Sequence, residues 1–176
     1  MMKKILIASF ICVLCCGAAR AQKTPPTAEE IINATVAKAK KEHKKALVLF
    51  HASWCEWCKK MDASINAPAC KKYFKKNFVI GVIDVFETGS KAALDNAGGD
   101  LMYEAYGGDN GLPFWLIFDG DGNLLADANI SANGNVGCPS EEADVNAFVN
   151  LLKKYTPMTD AEAKAVHDRF VKNKVN

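Results

Sequence analysis

The sequence predicts an α/β fold with a central mixed β-sheet flanked by helices. Three continuous apolar segments, 46–51, 78–83 and 114–118, are typical of buried strands. A helical pattern separates the first two, which indicates a right-handed strand–helix–strand unit with parallel strands. The third is followed by a polar turn at 119–123 and a further apolar segment at 124–130. We expect these last two segments to pair as an antiparallel hairpin.

The remaining periodic segments predict helices around this sheet. Thr27 and Glu30 form the S/T-x-x-E pattern of a capping box at the start of the first helix. Ser140 is the predicted N-cap of a later helix, which runs through Leu152. Apolar spacing and glycine or proline breaks predict the other helices at 55–64, 70–76, 91–96, 101–106 and 160–171.

The first 21 residues have the pattern of a secretory signal peptide. Lys3 and Lys4 precede an apolar stretch at 5–17, and Ala19-Arg20-Ala21 fits a cleavage site. The apolar stretch is too short to span a bilayer comfortably. We expect cleavage before Gln22 and a periplasmic or secreted mature protein.

A lipoprotein signal is the alternative interpretation of this leader. Lipidation would fall on Cys15 or Cys16, but neither follows the small residue that such a site prefers.

In the mature chain we expect a first domain at 22–156 and a C-terminal helical extension at 157–176.

Composition excludes several classes of protein. Of the 176 residues, 49% are apolar and 24% are charged, as in an ordinary soluble globular protein. The leader removes three of the 22 basic residues and none of the 20 acidic ones, leaving 19 basic and 20 acidic residues. A nucleic-acid partner would require a concentrated basic face, so none is expected. We expect a monomer.

The most informative motif is Trp54-Cys55-Glu56-Trp57-Cys58, directly after the first strand. Two cysteines at a strand-to-helix junction can close and reopen a disulfide. Cys55 would lie at a helix N-terminus, where free N–H groups favour the thiolate. The basic residues Lys59 and Lys60 should also lower its pKa, whereas Glu56 should raise it. We expect Cys55 to be the exposed attacking thiol and Cys58 the recessed, resolving one.

Zinc binding is the other common use of C-x-x-C. Cys12 and Cys15 share this spacing but lie in the leader. After residue 21 no second C-x-x-C or C-x-x-H occurs, and the other cysteines and histidines are scattered. We therefore expect no metal. A redox dithiol needs no organic cofactor either.

A second motif, Gly111-Leu112-Pro113-Phe114, precedes the third strand. Proline is tolerated at a strand's first position for purely structural reasons. Together with the cysteine motif, however, it gives the chain a resemblance to the thioredoxin superfamily over roughly residues 46–152. The chain is most similar to exported thioredoxin-like proteins related to the C-terminal domain of the bacterial thiol–disulfide interchange reductase.

The resemblance implies a thioredoxin-like fold and an exported thiol–disulfide oxidoreductase. It implies that Pro113 is cis beside the cysteines, and that the backbone of Leu112 pairs with an extended substrate segment. Independently of the resemblance, we expect Trp54, Trp57 and Trp115 to form an apolar rim around the dithiol, with partial core packing as the alternative for Trp115. The expected partners are cysteine-containing exported proteins, with a membrane thiol–disulfide reductase as electron donor in a reductase or isomerase direction. The alternative is a peptide-binding or chaperone-like module with a structural disulfide.

The chain departs from thioredoxin at several positions. Leu49 stands where thioredoxin has a buried acidic residue, six positions before the first cysteine. His51 is a candidate accessory proton carrier, although a structural role at the strand end is the simpler interpretation. Cys138 is a second candidate accessory residue, with three alternatives: an inert thiol, a bridge to Cys70, or a third redox thiol. Cys70 itself is expected in the core.

Overall fold

The computed structural model describes residues 24–109, 111–132 and 134–174. The predicted signal peptide lies outside the described residues. Within these ranges, helices and strands follow one another in the order α1 Ala28–Lys41, β1 Lys45–His51, α2 Glu56–Ile65, α3 Pro68–Asn77, β2 Phe78–Asp84, α4 Gly99–Ala105, β3 Phe114–Phe118, β4 Leu124–Asp127, α5 Glu142–Tyr155 and α6 Asp160–Phe170. Short 3₁₀ helices occupy Gly89–Leu94 and Val171–Asn173.

The four strands form one mixed sheet in the order β2-β1-β3-β4. Strands β1 and β2 are parallel, with Lys45 opposite Phe78. Strand β3 runs antiparallel to β1 and to β4. The predicted sheet of two parallel strands joined to an antiparallel hairpin is therefore confirmed.

The core is built by apolar segments on the central strands and by aromatic rings from the helices. All five residues of β3 are buried, as are Ala46–Phe50 of β1. Trp115 packs on Phe148 of α5, and Phe148 packs on Phe170 of α6. Helix α6 thus contributes to the same apolar cluster as the sheet. The division of the chain at residue 157 stays a prediction.

Three local expectations differ from the structure. Strand β4 ends at Asp127 instead of 130, because the Asp127 carboxylate accepts the Asn129 N–H and turns the chain away. The N-cap of α5 is Glu141, one residue after Ser140, and its carboxylate pairs with Lys174. The predicted helix at 91–96 is a 3₁₀ helix that begins and ends earlier, at Gly89–Leu94.

The capping box at the start of α1 is confirmed. Thr27 Oγ1 accepts the Glu30 N–H, and the Glu30 carboxylate accepts the Thr27 N–H. Helix α1 packs on β1 and β2, whereas α6 packs on α2, α3 and α5. This arrangement leaves the N-terminus of α2, directly after β1, at the end of the sheet where the cysteine motif lies.

Candidate active site

A disulfide joins Cys55 and Cys58 at the N-terminus of α2. Their Cα atoms are 5.3 Å apart, within the range that a disulfide requires. Cys55 is the N-cap of the helix, with an extended backbone, and its Sγ accepts the Cys58 N–H at 3.1 Å. The Cys55 N–H is in turn bonded to the Ala52 carbonyl. A sulfur atom therefore caps this helix where an oxygen usually does.

Both cysteines are buried in the disulfide form. Cys55 exposes 4% of its surface and Cys58 exposes 2%, so the expected contrast between an exposed and a recessed cysteine is slight. Ala52 and Leu112 cover them, in a small apolar cluster separate from the main core. The difference in exposure is small because Leu112, from a loop distant along the chain, packs against the cysteine cluster. The local sequence around the cysteines does not reveal this contact.

Leu49 and His51 belong to the end of β1, a few residues before the cysteine motif. His51 Nδ1 lies 3.1 Å from the Asp84 carboxylate, its register partner on β2. This pair joins the carboxyl ends of the two parallel strands. Leu49 is buried, opposite Val82 on one side and Trp115 on the other. An apolar side chain thus fills the position of the acidic residue in thioredoxin.

The Gly111–Pro113 loop lies directly before β3. The Leu112–Pro113 peptide bond is cis, and Pro113 is buried. The Tyr103 hydroxyl accepts the Gly111 N–H at 3.0 Å and donates to the Gly111 carbonyl at 3.1 Å. The Asn135 amide donates to the carbonyls of Gly111, at 2.7 Å, and Pro113, at 3.2 Å. No main-chain hydrogen bond joins Leu112 to another described residue.

The three tryptophans have different surroundings. Trp54 is 52% exposed and donates from Nε1 to the Phe86 carbonyl at 2.7 Å. Trp57 is 38% exposed, and the Lys60 ammonium lies 4.1 Å from the centre of its ring. Trp115 is fully buried, with Nε1 bonded to the Gly137 carbonyl. Only the first two flank the cysteines on the exposed surface.

Cys138 and Cys70 are both buried free thiols, so the bridge between them does not form. Cys138 lines a pocket of about 200 Å³ together with Trp57 and Leu112. Burial raises the pKa of Cys138 to about 12, although Asn173 donates a hydrogen bond to its sulfur. Burial also raises the pKa of Cys70. The structure thus places Cys138 near the rim of the site as a protonated thiol.

Comparison with known families decides the classification. The family model described as thioredoxin-like matches residues 27–120, which is more than half of the chain. The match includes both cysteines and Pro113. The chain belongs to the thioredoxin-like family. No curated protein matches its sequence.

Solved structures share the thioredoxin-like architecture. The disulphide isomerase from Xylella fastidiosa Temecula1 is 23% identical, with a TM-score of 0.50 over 83% of this chain and 90% of that one. At this identity the likeness shows the fold alone. The C-terminal domain of Neisseria meningitidis DsbD in the oxidised form is 21% identical, with a TM-score of 0.46 over 75% of this chain and 99% of that one. A DsbH oxidoreductase is 20% identical, with a TM-score of 0.43 over 86% and 95%.

Family membership and the Cys55–Cys58 disulfide together make the chain a thioredoxin-like thiol–disulfide oxidoreductase. In residues 24–174, apart from positions 110 and 133, no three His, Cys, Asp or Glu side chains are grouped so that they could hold a metal ion. No helix in the same part of the chain is long and apolar enough to cross a membrane.

Sequence reasoning missed several residues that shape this thioredoxin-like site. The buried Glu87 carboxylate accepts both the N–H and the hydroxyl of Ser53, two residues before Cys55. These bonds hold the pKa of Glu87 below its ordinary value. Tyr103 and Asn135 hold the Pro113 loop. Nothing in the local sequence marked Glu87, Tyr103 or Asn135 as part of the site, because Glu87 bonds a residue distant along the chain and the loop that Tyr103 and Asn135 hold was not known to lie at the cysteines.

Proposed function

We propose that this protein is an exported oxidoreductase that exchanges disulfides with cysteines of other exported proteins through Cys55 and Cys58. The observation that carries the proposal is the disulfide at the N-terminus of α2 in a thioredoxin-like fold. In the reduced protein, the Cys58 N–H that now points at Cys55 Sγ would favour a Cys55 thiolate.

In the reductive direction, the Cys55 thiolate attacks one sulfur of a partner disulfide. A mixed disulfide forms, and the other partner sulfur leaves as a thiolate, which takes up a proton. The Cys58 thiolate then attacks the Cys55 sulfur, which releases the second partner sulfur as a thiolate. Two electrons pass to the partner, and the Cys55–Cys58 disulfide is left. A dithiol donor must then reduce it by the same exchange.

The partner's chain would lie along the Leu112–Pro113 loop. The Leu112 backbone has no hydrogen bond to another described residue, so its N–H and C=O are available to an extended segment. Trp54 and Trp57 would contact side chains on either side of the partner cysteine. We assign no proton-transfer step to His51, which faces Asp84, or to the protonated Cys138.

The proposed direction is that of a reductase or isomerase, with a membrane thiol–disulfide reductase as the dithiol donor. The equilibrium redox potential against glutathione tests it. Potentials in such dithiols range from roughly −270 mV for reductants to roughly −120 mV for strong oxidants. A value near the oxidising end would overturn the direction and leave the oxidoreductase class intact.

We also propose export to the periplasm or the exterior after cleavage before Gln22. The support is the basic, apolar and A-x-A pattern of residues 1–21. Mass spectrometry of the protein from the periplasm or medium should show Gln22 as the first residue. A mature protein that retains the leader, or that carries lipid on Cys15 or Cys16, would contradict this expectation.

Trapping of partners tests the roles of the two cysteines. With Cys58→Ala, the mixed disulfide on Cys55 cannot be resolved, so covalent complexes should accumulate in the exported fraction. Cys55→Ala should form none, and Cys138→Ala, in the protein with both active-site cysteines, serves as the matched control. Equal trapping by Cys58→Ala and Cys55→Ala would contradict the roles.

The burial of both cysteines favours one other function, a peptide-binding or chaperone-like module in which the disulfide is structural. A structural disulfide resists reduction by glutathione, whereas a catalytic one exchanges readily. No turnover in a disulfide-reduction assay, together with retained binding of extended peptides, would support the binding module.

A further inference from the structure

Phe86 has an unusual combination of backbone conformation and exposure. It follows β2, in the loop before the 3₁₀ helix, with a φ of 58° and 40% of its surface exposed. A bulky side chain in the left-handed region is a genuine outlier. Such residues persist where their surroundings hold them, and they are concentrated at functional sites.

Contacts on both sides hold Phe86 beside the disulfide. Its carbonyl accepts the Trp54 Nε1–H at 2.7 Å, which ties it to the residue before Cys55. Its ring packs edge-on against Tyr103 with 5.2 Å between centroids, and Tyr103 holds Gly111 of the Pro113 loop. The next residue, Glu87, is bonded to Ser53. The ring of Phe86 is therefore kept at the surface between the two loops of the site.

Trp54 and Phe86 together form an exposed surface that we name the aromatic wall. The charged groups nearby are held by polar partners, and the Asp95 carboxylate accepts the Glu87 N–H. Glu56 pairs with Lys59, and the Ser53 hydroxyl lies between the Glu87 carboxylate and the Lys91 ammonium. The aromatic wall thus offers ring surface with little net charge, continuous with the disulfide loop. Such a surface suits an apolar side chain better than a charged one.

We propose that the aromatic wall binds an apolar side chain next to the cysteine of the partner. The partner class is then an extended polypeptide segment in which large apolar residues flank the cysteine, as exposed in chains that have not completed folding. This inference rests on the proposed function, and it makes Phe86 a residue that determines specificity.

The test uses two synthetic peptides, each closed by one disulfide, with leucines flanking both cysteines in one and serines in the other. Dithiothreitol regenerates the reduced protein, and the rate without protein is subtracted. The wild type should prefer the leucine peptide in kcat/KM by about tenfold, the order expected for one apolar contact. Phe86→Ala should bring that preference below about threefold, for the same reason.

Two further variants make the result decisive. Phe86→Gly removes the ring and suits the positive φ, so it should fold and lose the preference as Phe86→Ala does. Leu101→Ala removes a side chain that is 68% exposed on α4 and should keep the wild-type preference. Equal rates for the two peptides in the wild type would overturn the inference. A loss of rate that is the same for both peptides in Phe86→Ala would also overturn it. No turnover of either peptide by the wild type would instead contradict the proposed function.

Discussion

The backbone N–H of Cys58 points at the sulfur of Cys55, 3.1 Å away. The free donors at the start of a helix carry a partial positive charge, which is most favourable next to an anion. The basic residues near the motif add less than their number suggests, since Lys59 is paired with Glu56 and Lys60 lies over the Trp57 ring. The helix N-terminus is therefore the main structural reason for the two cysteines to differ in reactivity.

In the reduced protein at pH 7, we expect iodoacetamide to modify Cys55 at least about tenfold faster than Cys58, because the thiolate is the reactive form. Quenched samples analysed by peptide mass spectrometry give both rates. Glu56→Gln should accelerate modification of Cys55 by removing an opposing charge. Glu29→Gln, an exposed change on α1, is the control and should leave both rates unchanged. Faster modification of Cys58 would reverse the assigned roles.

Tyr103→Phe removes the hydroxyl that bonds both the N–H and the C=O of Gly111. We expect a loss of about 1 kcal/mol in the free energy of unfolding, since water can partly replace these bonds. The loop before Pro113 should also loosen, which would raise KM for peptide disulfides more than it lowers kcat. Urea denaturation and steady-state kinetics measure the two effects.

Tyr106→Phe is the matched control for that experiment. The Tyr106 ring packs on Phe118, and its hydroxyl makes no hydrogen bond to any other described residue. It should change neither stability nor KM. Equal effects of the two substitutions would show that the Tyr103 hydroxyl does not support the loop.

Asn173→Ala should disrupt a buried polar cluster behind α2. The Asn173 side-chain amide donates to Ser64 and Cys138, its side-chain oxygen accepts from Arg169, and its backbone carbonyl accepts from Lys60. The bond from Lys60 to the backbone carbonyl remains in this variant, but Ser64, Cys138 and Arg169 lose their partner. The loss should cost about 1–3 kcal/mol in the free energy of unfolding, measured in urea.

Asn146→Ala, on the exposed face of α5, should cost less than about 0.5 kcal/mol in the same measurement. If both asparagine variants unfold at the wild-type midpoint, the cluster around residue 173 adds nothing to stability.

Cys138 should be unreactive in the folded protein. Burial raises its pKa to about 12, so the thiol stays protonated at pH 8. In mature protein carrying Cys55→Ala and Cys58→Ala, a thiol reagent at pH 8 should label neither Cys138 nor Cys70, and both should react in urea. Rapid labelling of Cys138 without urea would contradict this expectation and support the alternative of a third redox thiol.

Glu87 should make stability depend on pH. Its hydrogen bonds to Ser53 hold its pKa in the folded protein below the ordinary value of 4.5. The carboxylate therefore contributes stability above that ordinary pKa, and the contribution is lost as the pH falls through the lowered one. Urea unfolding at pH 7, 5 and 3.5 should show the wild-type advantage over Glu87→Gln shrinking as the pH falls. Comparison of the wild type with Glu29→Gln provides the control. A stability difference between the wild type and Glu87→Gln that does not change with pH would mean that the charge of Glu87 does not contribute to stability.

Local patterns predicted most of the fold correctly. Continuous apolar segments placed β1, β2 and β3. Strands β1 and β3 lie in the middle of the sheet and are buried on both faces, which requires apolar residues throughout. Strand β2 was expected to be buried in the same way, but it is an edge strand in which Ile80 and Val82 are exposed. The Thr27–Glu30 capping box was predictable because its two residues are three positions apart. One error came from a tertiary contact, the ion pair of Glu141 with Lys174 at the start of α5. The end of β4 was missed although it depends on a local bond, from the Asn129 N–H to the Asp127 carboxylate.

By itself the sequence determined the cysteine pair, the helix that begins at it and the strand that delivers it, because these depend on neighbours a few residues apart. Only the tertiary structure decided that Leu112 covers the disulfide, that Cys70 and Cys138 stay unbonded, and that Phe86 lies beside Trp54. These contacts join segments that are distant along the chain. They depend on the order of strands in the sheet and on the paths of the loops, which no local pattern encodes.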